Sequence, residues 1–361
     1  MSGGEREAAT ETGSVMTEAT VGGAAVPKLE LHRPVKSWLQ VTATCNLKCK
    51  QCYGDCTPDP QPDEVTLEQF HAVLDDMADS GVIELLVEGG EPLQRPDVLD
   101  ILAHASPRML VRLRTNGTLL DEPMADRIKA AGIRNLCVDF MGATARTHDW
   151  HVGEPGAFEK TLNGLKVSLA AGFETLALMI MTKRNAGEIQ EFVDLAAAAG
   201  VRRVGILRLY PLGRAKRYWA EMALSLPEQM AALEGVTAPD GVHLMRSWHP
   251  RDANCCWQAS GVDARGRSVG CSYLRDFADF GNVLETPFLK TWQHPLFVRL
   301  RSREVEDHCP ECASTQGSAG GCRSTAYAFT GDWDAPDPYC TTTNRGIDVR
   351  LLPARLLPED S

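Results

Sequence analysis

The chain has 361 residues, 43% of them hydrophobic, and a formal net charge of −11. That is enough apolar material for one large core and a second small one, and too little concentrated positive charge for a nucleic-acid partner. No run nears the roughly 18 consecutive apolar residues of a membrane span, and the N-terminus lacks the basic start and apolar centre of a secretory signal. The sequence is therefore read as cytoplasmic, with no nucleic acid and no membrane among its partners.

Residues 1–34 are rich in Gly, Ala, Thr and Glu, show no apolar period, and are expected to form a disordered tail. Strands rich in Val, Leu and Ile are predicted at 37–43, 83–87, 110–114, 135–140, 175–181 and 203–209. Helices are predicted between them: from Thr66, where Gln69 completes a capping-box pattern, and at 96–105, 121–131, 158–171 and 186–199. Several end in Ser-Gly or Ala-Gly, where glycine supplies the left-handed cap. Six β-then-α units in a row imply a parallel sheet with right-handed crossovers. An eight-unit barrel needs more chain, so the expected fold is α/β: a partial, open (β/α)6 TIM-like barrel over residues 35–225, with a doubly wound sheet as the alternative. A linker is expected at 226–250, a small cysteine-rich C-terminal domain stapled by metal at 251–345, and a tail at 346–361.

Twelve cysteines without an export signal read as metal ligands rather than a disulfide framework. One group is Cys45, Cys49, Cys52 and Cys56; the other is Cys255, Cys256, Cys271, Cys309, Cys312, Cys322 and Cys340. Cys137 stands apart inside the fourth strand and reads as a small buried hydrophobe. Strand one runs straight into Thr44-Cys45-Asn46-Leu47-Lys48-Cys49-Lys50-Gln51-Cys52. Three thiolates at this spacing can hold three corners of a four-iron, four-sulfur cube and leave one iron open to an amino-acid-like chelator. A structural zinc site with Cys56 as fourth ligand is the other reading of the spacing. Polar or glycine-rich features follow the other strands, where β/α barrels gather their chemistry: Gly89-Gly90-Glu91-Pro92, Thr115-Asn116-Gly117, Asp139, Thr182 with Asn185, and Pro211-Leu212-Gly213-Arg214-Ala215.

With its Cys-x3-Cys-x2-Cys triad and Gly-Gly-Glu-Pro motif, the chain resembles the radical SAM superfamily. In that family the open iron binds S-adenosylmethionine (SAM), and one electron cleaves SAM to a 5′-deoxyadenosyl radical. The resemblance implies a [4Fe-4S] cluster on Cys45, Cys49 and Cys52, with SAM positioned by Gly89, Gly90, Glu91, Thr115 and Asn116. Gln51 departs from the aromatic residue or His common before the third cysteine. Downstream, Cys256, Gly266 and Cys271, then Cys309-Pro310-Glu311-Cys312, Gly320-Gly321-Cys322-Arg323 and Cys340, resemble the SPASM domain and its auxiliary iron–sulfur clusters. Carried over, Cys255, Cys256, Cys271 and Cys322 hold one cluster, and Cys309, Cys312 and Cys340 a second. Ser318 stands where that second cluster's remaining cysteine belongs. Ser272 stands where certain relatives carry a catalytic Asp; Tyr273, Asp276 and Asp332 are other candidates for proton transfer.

The implied function is a radical SAM oxidoreductase or maturase that abstracts hydrogen from a ribosomally made precursor peptide. An external one-electron reductant, flavodoxin- or ferredoxin-like, is the implied partner. The alternative substrates are a sugar, cyclitol or tetrapyrrole, acted on by a dehydrogenase or epimerase. From another class, the rival is a non-enzymatic zinc or iron–sulfur scaffold.

Overall fold

A computed structural model describes residues 17–21, 24–28, 31–247, 259–302 and 320–357. Cys255, Cys256, Cys309, Cys312 and Ser318 lie outside the described residues.

Within the stretch expected to be a disordered tail, β1 (Thr17–Val21) and β2 (Ala24–Lys28) pair antiparallel. The expectation weighed composition and the lack of an apolar period; the local signal it passed over is the β-branched Thr17, Thr20, Val21 and Val26.

The main sheet takes its strands in the order β10-β3-β4-β5-β6-β7-β8-β9, all parallel. Six of them fall where the sequence predicted: β3 (Lys36–Gln40), β4 (Glu84–Glu88), β5 (Leu110–Thr115), β6 (Asn135–Phe140), β7 (Glu174–Ile180) and β8 (Arg203–Leu207). Two more extend the edges: β9 (His243–Ser247) beside β8, and β10 (Ala259–Val262) beside β3. The sheet is an open, TIM-like partial barrel with a small C-terminal domain packed against it. The segment expected to be a linker, 226–250, instead holds the helix Leu226–Leu233, which Ser225 and Glu228 cap reciprocally, and then β9.

Alternation along the strands separates two apolar layers. Leu39, Leu85, Val87, Leu113 and Leu136 face the covering helices α1 (Leu67–Asp79), α2 (Val98–Ala105) and α3 (Glu122–Ala130). Val138, Phe140, Ala177, Met179, Val204 and Ile206 belong to a second cluster with α5 (Ala157–Ala170) and α6 (Ile189–Ala198). The other register turns inward: Cys137 packs with Leu176 and Leu178 against Leu86, Leu207 and Met245, the environment of a structural thiol. Gly205 keeps this interior open, since a Cβ there would come to 2.6 Å from Leu178. The short helix α4 (Ala145–Val152) follows β6 and closes one side of the barrel mouth.

Candidate active site

The loop after β3 carries the first cysteines. Cys45 N–H donates to Thr57 O (2.8 Å), Lys48 N–H to Val152 O (3.0 Å) and Lys50 N–H to His151 O (2.8 Å), so the loop is laced to its own exit and to α4. Arg214, whose role was open in the sequence, is buried here. Its guanidinium donates to Cys49 O (3.1 Å) and Cys56 O (2.6 Å) and pairs with Asp55 at 3.0 Å, and its backbone N–H donates to Cys52 O (2.9 Å). One residue thus fixes the carbonyls of Cys49, Cys52 and Cys56. Gly213 (φ +49°) is required beside it, because a Cβ would come to 2.5 Å from Tyr53 O.

Cys45, Cys49 and Cys52 line one cavity with Gly89, Gly90, Thr115 and Asn116. Gly90 N–H donates to Thr42 O (2.6 Å) and Glu91 N–H to Thr44 O (2.9 Å), pressing the glycine pair against the start of the cysteine loop. A Cβ on Gly90 would collide with the Thr44 carbonyl. Glu91 is fully buried and is not among the lining residues. Its carboxylate accepts from Thr115 Oγ1 (2.7 Å), Asn116 N (2.8 Å) and Leu93 N (3.1 Å), so it braces the glycine shelf and the Thr-Asn turn from behind. Burial pushes this carboxyl up to about 7 while the three donors pull it down. Asn116 Nδ2 in turn donates to Asn46 Oδ1 (2.9 Å), tying that turn to the cysteine loop.

Asp139 lines the same cavity and accepts from Arg114 through both oxygens, at 2.8 and 3.0 Å. Glu88, a lining residue to which sequence reasoning gave no role, accepts from Tyr53 Oη (2.5 Å) and Ser272 Oγ (3.0 Å), with Arg114 Nη1 3.6 Å away. Ser272 therefore reaches the site, by way of a carboxylate supplied from β4. Tyr273 stacks on Tyr210, ring centroids 3.8 Å apart, and meets Tyr53 edge-on at 5.6 Å. Asp276 is exposed and pairs with Lys216, and Asp332 lies in an exposed turn; neither lines the cavity.

The donor chemistry fits an iron–sulfur group at the triad. Burial pushes the Cys45 thiol up to about 12 and the Cys49 thiol well up, while a hydrogen bond from Cys56 pulls Cys52 down to about 6. Bound metal is what lets such thiols deprotonate together. Cys56 also lines the cavity, with the Gln40 amide 3.7 Å from its sulfur. Among the described residues no three His, Cys, Asp or Glu side chains close around a point as one metal ion requires. Two buried lining atoms, Gln51 Oε1 and His148 Nε2, lack a protein partner, as polar atoms that await a ligand would.

His148 and His151 of α4 are both essentially unexposed. Met141 N–H donates to His148 Nδ1 (3.2 Å), which assigns the proton to Nε2; His151 bonds Thr147 O and Thr182 Oγ1, each at 2.8 Å. Burial lowers both to about 4. A histidine held neutral this way contributes stability that is present above its unfolded pKa of about 6.5 and lost toward 4. Stability is expected to fall by up to about 3 kcal/mol per histidine over that window. Urea titrations at pH 7 and pH 4.5 check it, with His148→Gln expected to flatten the slope by about one proton.

In the C-terminal domain Cys271, Cys322 and Cys340 are buried. Asp337 accepts from Cys322 N and Arg208 Nη2, each at 2.8 Å, and Arg208 lies over the rings of Tyr210 and Tyr339. Arg208 Nη1 is buried without a protein partner, and the Asp337 carboxylate that pairs with Arg208 also holds the Cys322 backbone N–H. A spare buried donor beside a cysteine fits a sulfide-rich group there as well.

The family described as the radical SAM superfamily matches residues 39–196, and SPASM, described as an iron–sulfur cluster-binding domain, matches residues 255–313. An AdoMet-dependent heme synthase of Methanosarcina barkeri is 33% identical over 332 residues, covering 83% of this chain and 94% of that protein. A PqqA peptide cyclase of Methylocella silvestris is 27% identical over 351 residues, covering 92% and 94%. The crystal structure of Streptococcus suis SuiB bound to S-adenosylmethionine superposes with a TM-score of 0.70 at 16% identity, over 86% of this chain and 78% of that one; at that identity the likeness concerns the fold. Among the described residues no helix is long and apolar enough to cross a membrane.

Proposed function

The chain belongs to the radical SAM superfamily and carries a SPASM domain, and on that premise we propose that Cys45, Cys49 and Cys52 hold a [4Fe-4S] cluster beside a SAM seat. When bound, that cluster supplies the electron that cleaves SAM to the 5′-deoxyadenosyl radical, which takes a hydrogen atom from the substrate. The observation that carries this reading is the three thiols on one wall of a cavity that also holds the Gly89–Gly90 shelf. Gly89, Gly90, Thr115 and Asn116 seat SAM, and Glu91 holds them in place. Arg214 holds the backbone that carries Cys49 and Cys52. Leu47, Met141, Val152 and Ile180 line the cavity and exclude water from reactive intermediates. Glu88, with the Tyr53 and Ser272 hydroxyls on it, is placed to handle a proton at the substrate.

Cys255, Cys256, Cys271 and Cys322 are assigned to one auxiliary cluster, and Cys309, Cys312 and Cys340 to a second whose remaining position falls at Ser318. An external one-electron reductant of the flavodoxin or ferredoxin kind supplies the electrons. The substrate assigned is a peptide, supported by the likeness to the PqqA peptide cyclase. The greater identity to a heme synthase favours a second reading, a tetrapyrrole. Anaerobic incubation with SAM and reductant, offering precursor-type peptides in one arm and an iron porphyrin in the other, separates the two. A peptide mass change matched mole for mole by 5′-deoxyadenosine is expected; turnover of the porphyrin alone would reverse the assignment.

A further inference from the structure

We propose that the outer face of α4, together with the cysteine loop, is the docking surface for an acidic protein that delivers single electrons. The inference rests on the cluster reading above and adds the place where its electrons enter.

Four cations gather there: Lys48 and Lys50 in the cysteine loop, Arg146 on α4 and Arg184 after β7, all exposed except the half-buried Lys50. Among the described residues none of the four is ion-paired to a carboxylate. Two of them lie over an aromatic ring instead. The Lys50 ammonium stands 4.5 Å from the Trp150 ring centroid and the Arg184 guanidinium 4.3 Å, and Lys50 also lies 5.5 Å from the ring of Tyr218. Lys50 Nζ donates to Trp150 O at 2.7 Å, which pins the cluster to the helix. An open groove runs along this face past Lys50, Arg146, Trp150 and Gly153. Two carboxylates also line it. Asp149 is occupied by the backbone N–H groups of Gly156 (2.6 Å) and Phe158 (2.8 Å), and only Glu154 is left over.

The chain as a whole carries −11, so an acidic partner is repelled by most of the surface and steered to this positive face. Half-buried Trp150 and Tyr218 are the residue types that anchor protein interfaces.

The side of the helix decides what kind of partner this is. His148 and Val152 line the cavity, whereas Arg146, Asp149 and Trp150 line the outer groove. A molecule in the groove has α4 between it and the cavity, and a helix with its side chains is about 10–12 Å across. Hydrogen abstraction needs atoms in contact, so a substrate carbon cannot react from there. Electron transfer needs no contact, and Lys50 lies in the chain between Cys49 and Cys52 with its N–H on His151 O of α4. A carrier seated here abuts the loop that bears the thiols.

The test uses the full chain with clusters assembled anaerobically and a photoreduced flavodoxin as the probe, reading the bleaching of the cluster absorbance by stopped flow. Arg146→Glu with Arg184→Glu is expected to slow bleaching roughly tenfold or more at low salt, with the difference from wild type shrinking in high salt. Lys160→Glu, on the exposed face of α5, is the charge-matched control and should change little. Dithionite should bleach all variants alike, because a small reductant needs no docking face. Unchanged flavodoxin rates in the double variant would overturn the proposal. So would a peptide affinity that weakens while the flavodoxin rate holds, since the face would then belong to the substrate. If wild type shows no dithionite-sensitive cluster at all, the cluster reading fails and takes this proposal with it, an outcome the dithionite arm separates from the others.

Discussion

Gly90→Ala is expected to give a folded chain that neither assembles the first cluster nor binds SAM. The added methyl has nowhere to go. It would meet the Thr44 carbonyl, with Cys45 Cβ at 3.0 Å behind it. The obstacle is backbone, so no rotamer change relieves it. Either the β4 extension or the cysteine loop must shift, and both Thr42–Gly90 and Thr44–Glu91 hydrogen bonds go with it. Overpacking of this kind costs about 1–3 kcal/mol, which the large apolar layers around β3 to β6 can absorb. The site cannot, because three thiols must keep their mutual positions. Iron per chain is expected to fall by about the four atoms of that one cluster while the C-terminal clusters stay loaded, with near-native circular dichroism and no SAM-dependent change in the cluster signal. Gly187→Ala is the control: a Cβ there meets nothing within 4 Å, and cluster content should stay at wild type. Iron and sulfide analysis of both variants checks the pair; full loading of Gly90→Ala would remove the shelf from the argument.

Asp337→Asn is expected to destabilise the junction between the barrel and the C-terminal domain by about 3–5 kcal/mol. Arg208 and Asp337 are both fully buried and pair at 2.8 Å. The carboxylate also accepts from Cys322 N and Tyr339 N. Removing its charge strands a guanidinium away from water, which is far costlier than deleting both partners. Replacing the pair together, Arg208→Met with Asp337→Leu, should recover part of the loss. Chemical denaturation of the single and double variants reads this directly. A loss under about 1 kcal/mol for the single variant would mean that water reaches the pair.

Much of this architecture was legible in the sequence, for identifiable reasons. Most of the six central strands carry Val, Leu or Ile at their buried positions, as in Glu84-Leu85-Leu86-Val87-Glu88, and Lys36-Ser37-Trp38-Leu39-Gln40 shows itself mainly by running into the cysteine loop. The two edge strands read less plainly: His243-Leu244-Met245-Arg246-Ser247 is half polar, and Ala259-Ser260-Gly261-Val262 is short and small. Their place is set by the ladders they complete, which no local pattern carries. The helix Leu226–Leu233 did announce itself, through Ser225, Pro227 and Glu228, yet lay in a stretch read by its turn residues.

At the site, spacing pointed to the cysteines and glycines, and the cavity gathers them. Direction was not legible. Glu91 sits in the motif but turns its carboxylate away from the cavity, whereas Glu88, three residues earlier, turns its own in. The Ser272–Glu88 bond joins residues 184 positions apart, and Arg214 reaches Cys49 across 165. Contacts of that separation exist only once the barrel has closed around them.

The central claim is that three thiolates, and only those three, hold a cluster that can engage SAM. The most direct measurement is electron paramagnetic resonance on anaerobically reconstituted, reduced protein before and after SAM is added, paired with assay of 5′-deoxyadenosine. The expected result is a SAM-dependent change in the spectrum and product formation, both abolished in Cys45→Ala/Cys49→Ala/Cys52→Ala while signals from the C-terminal domain persist. A triple variant that makes 5′-deoxyadenosine at the wild-type rate, or a loaded wild type whose spectrum ignores SAM, would contradict it.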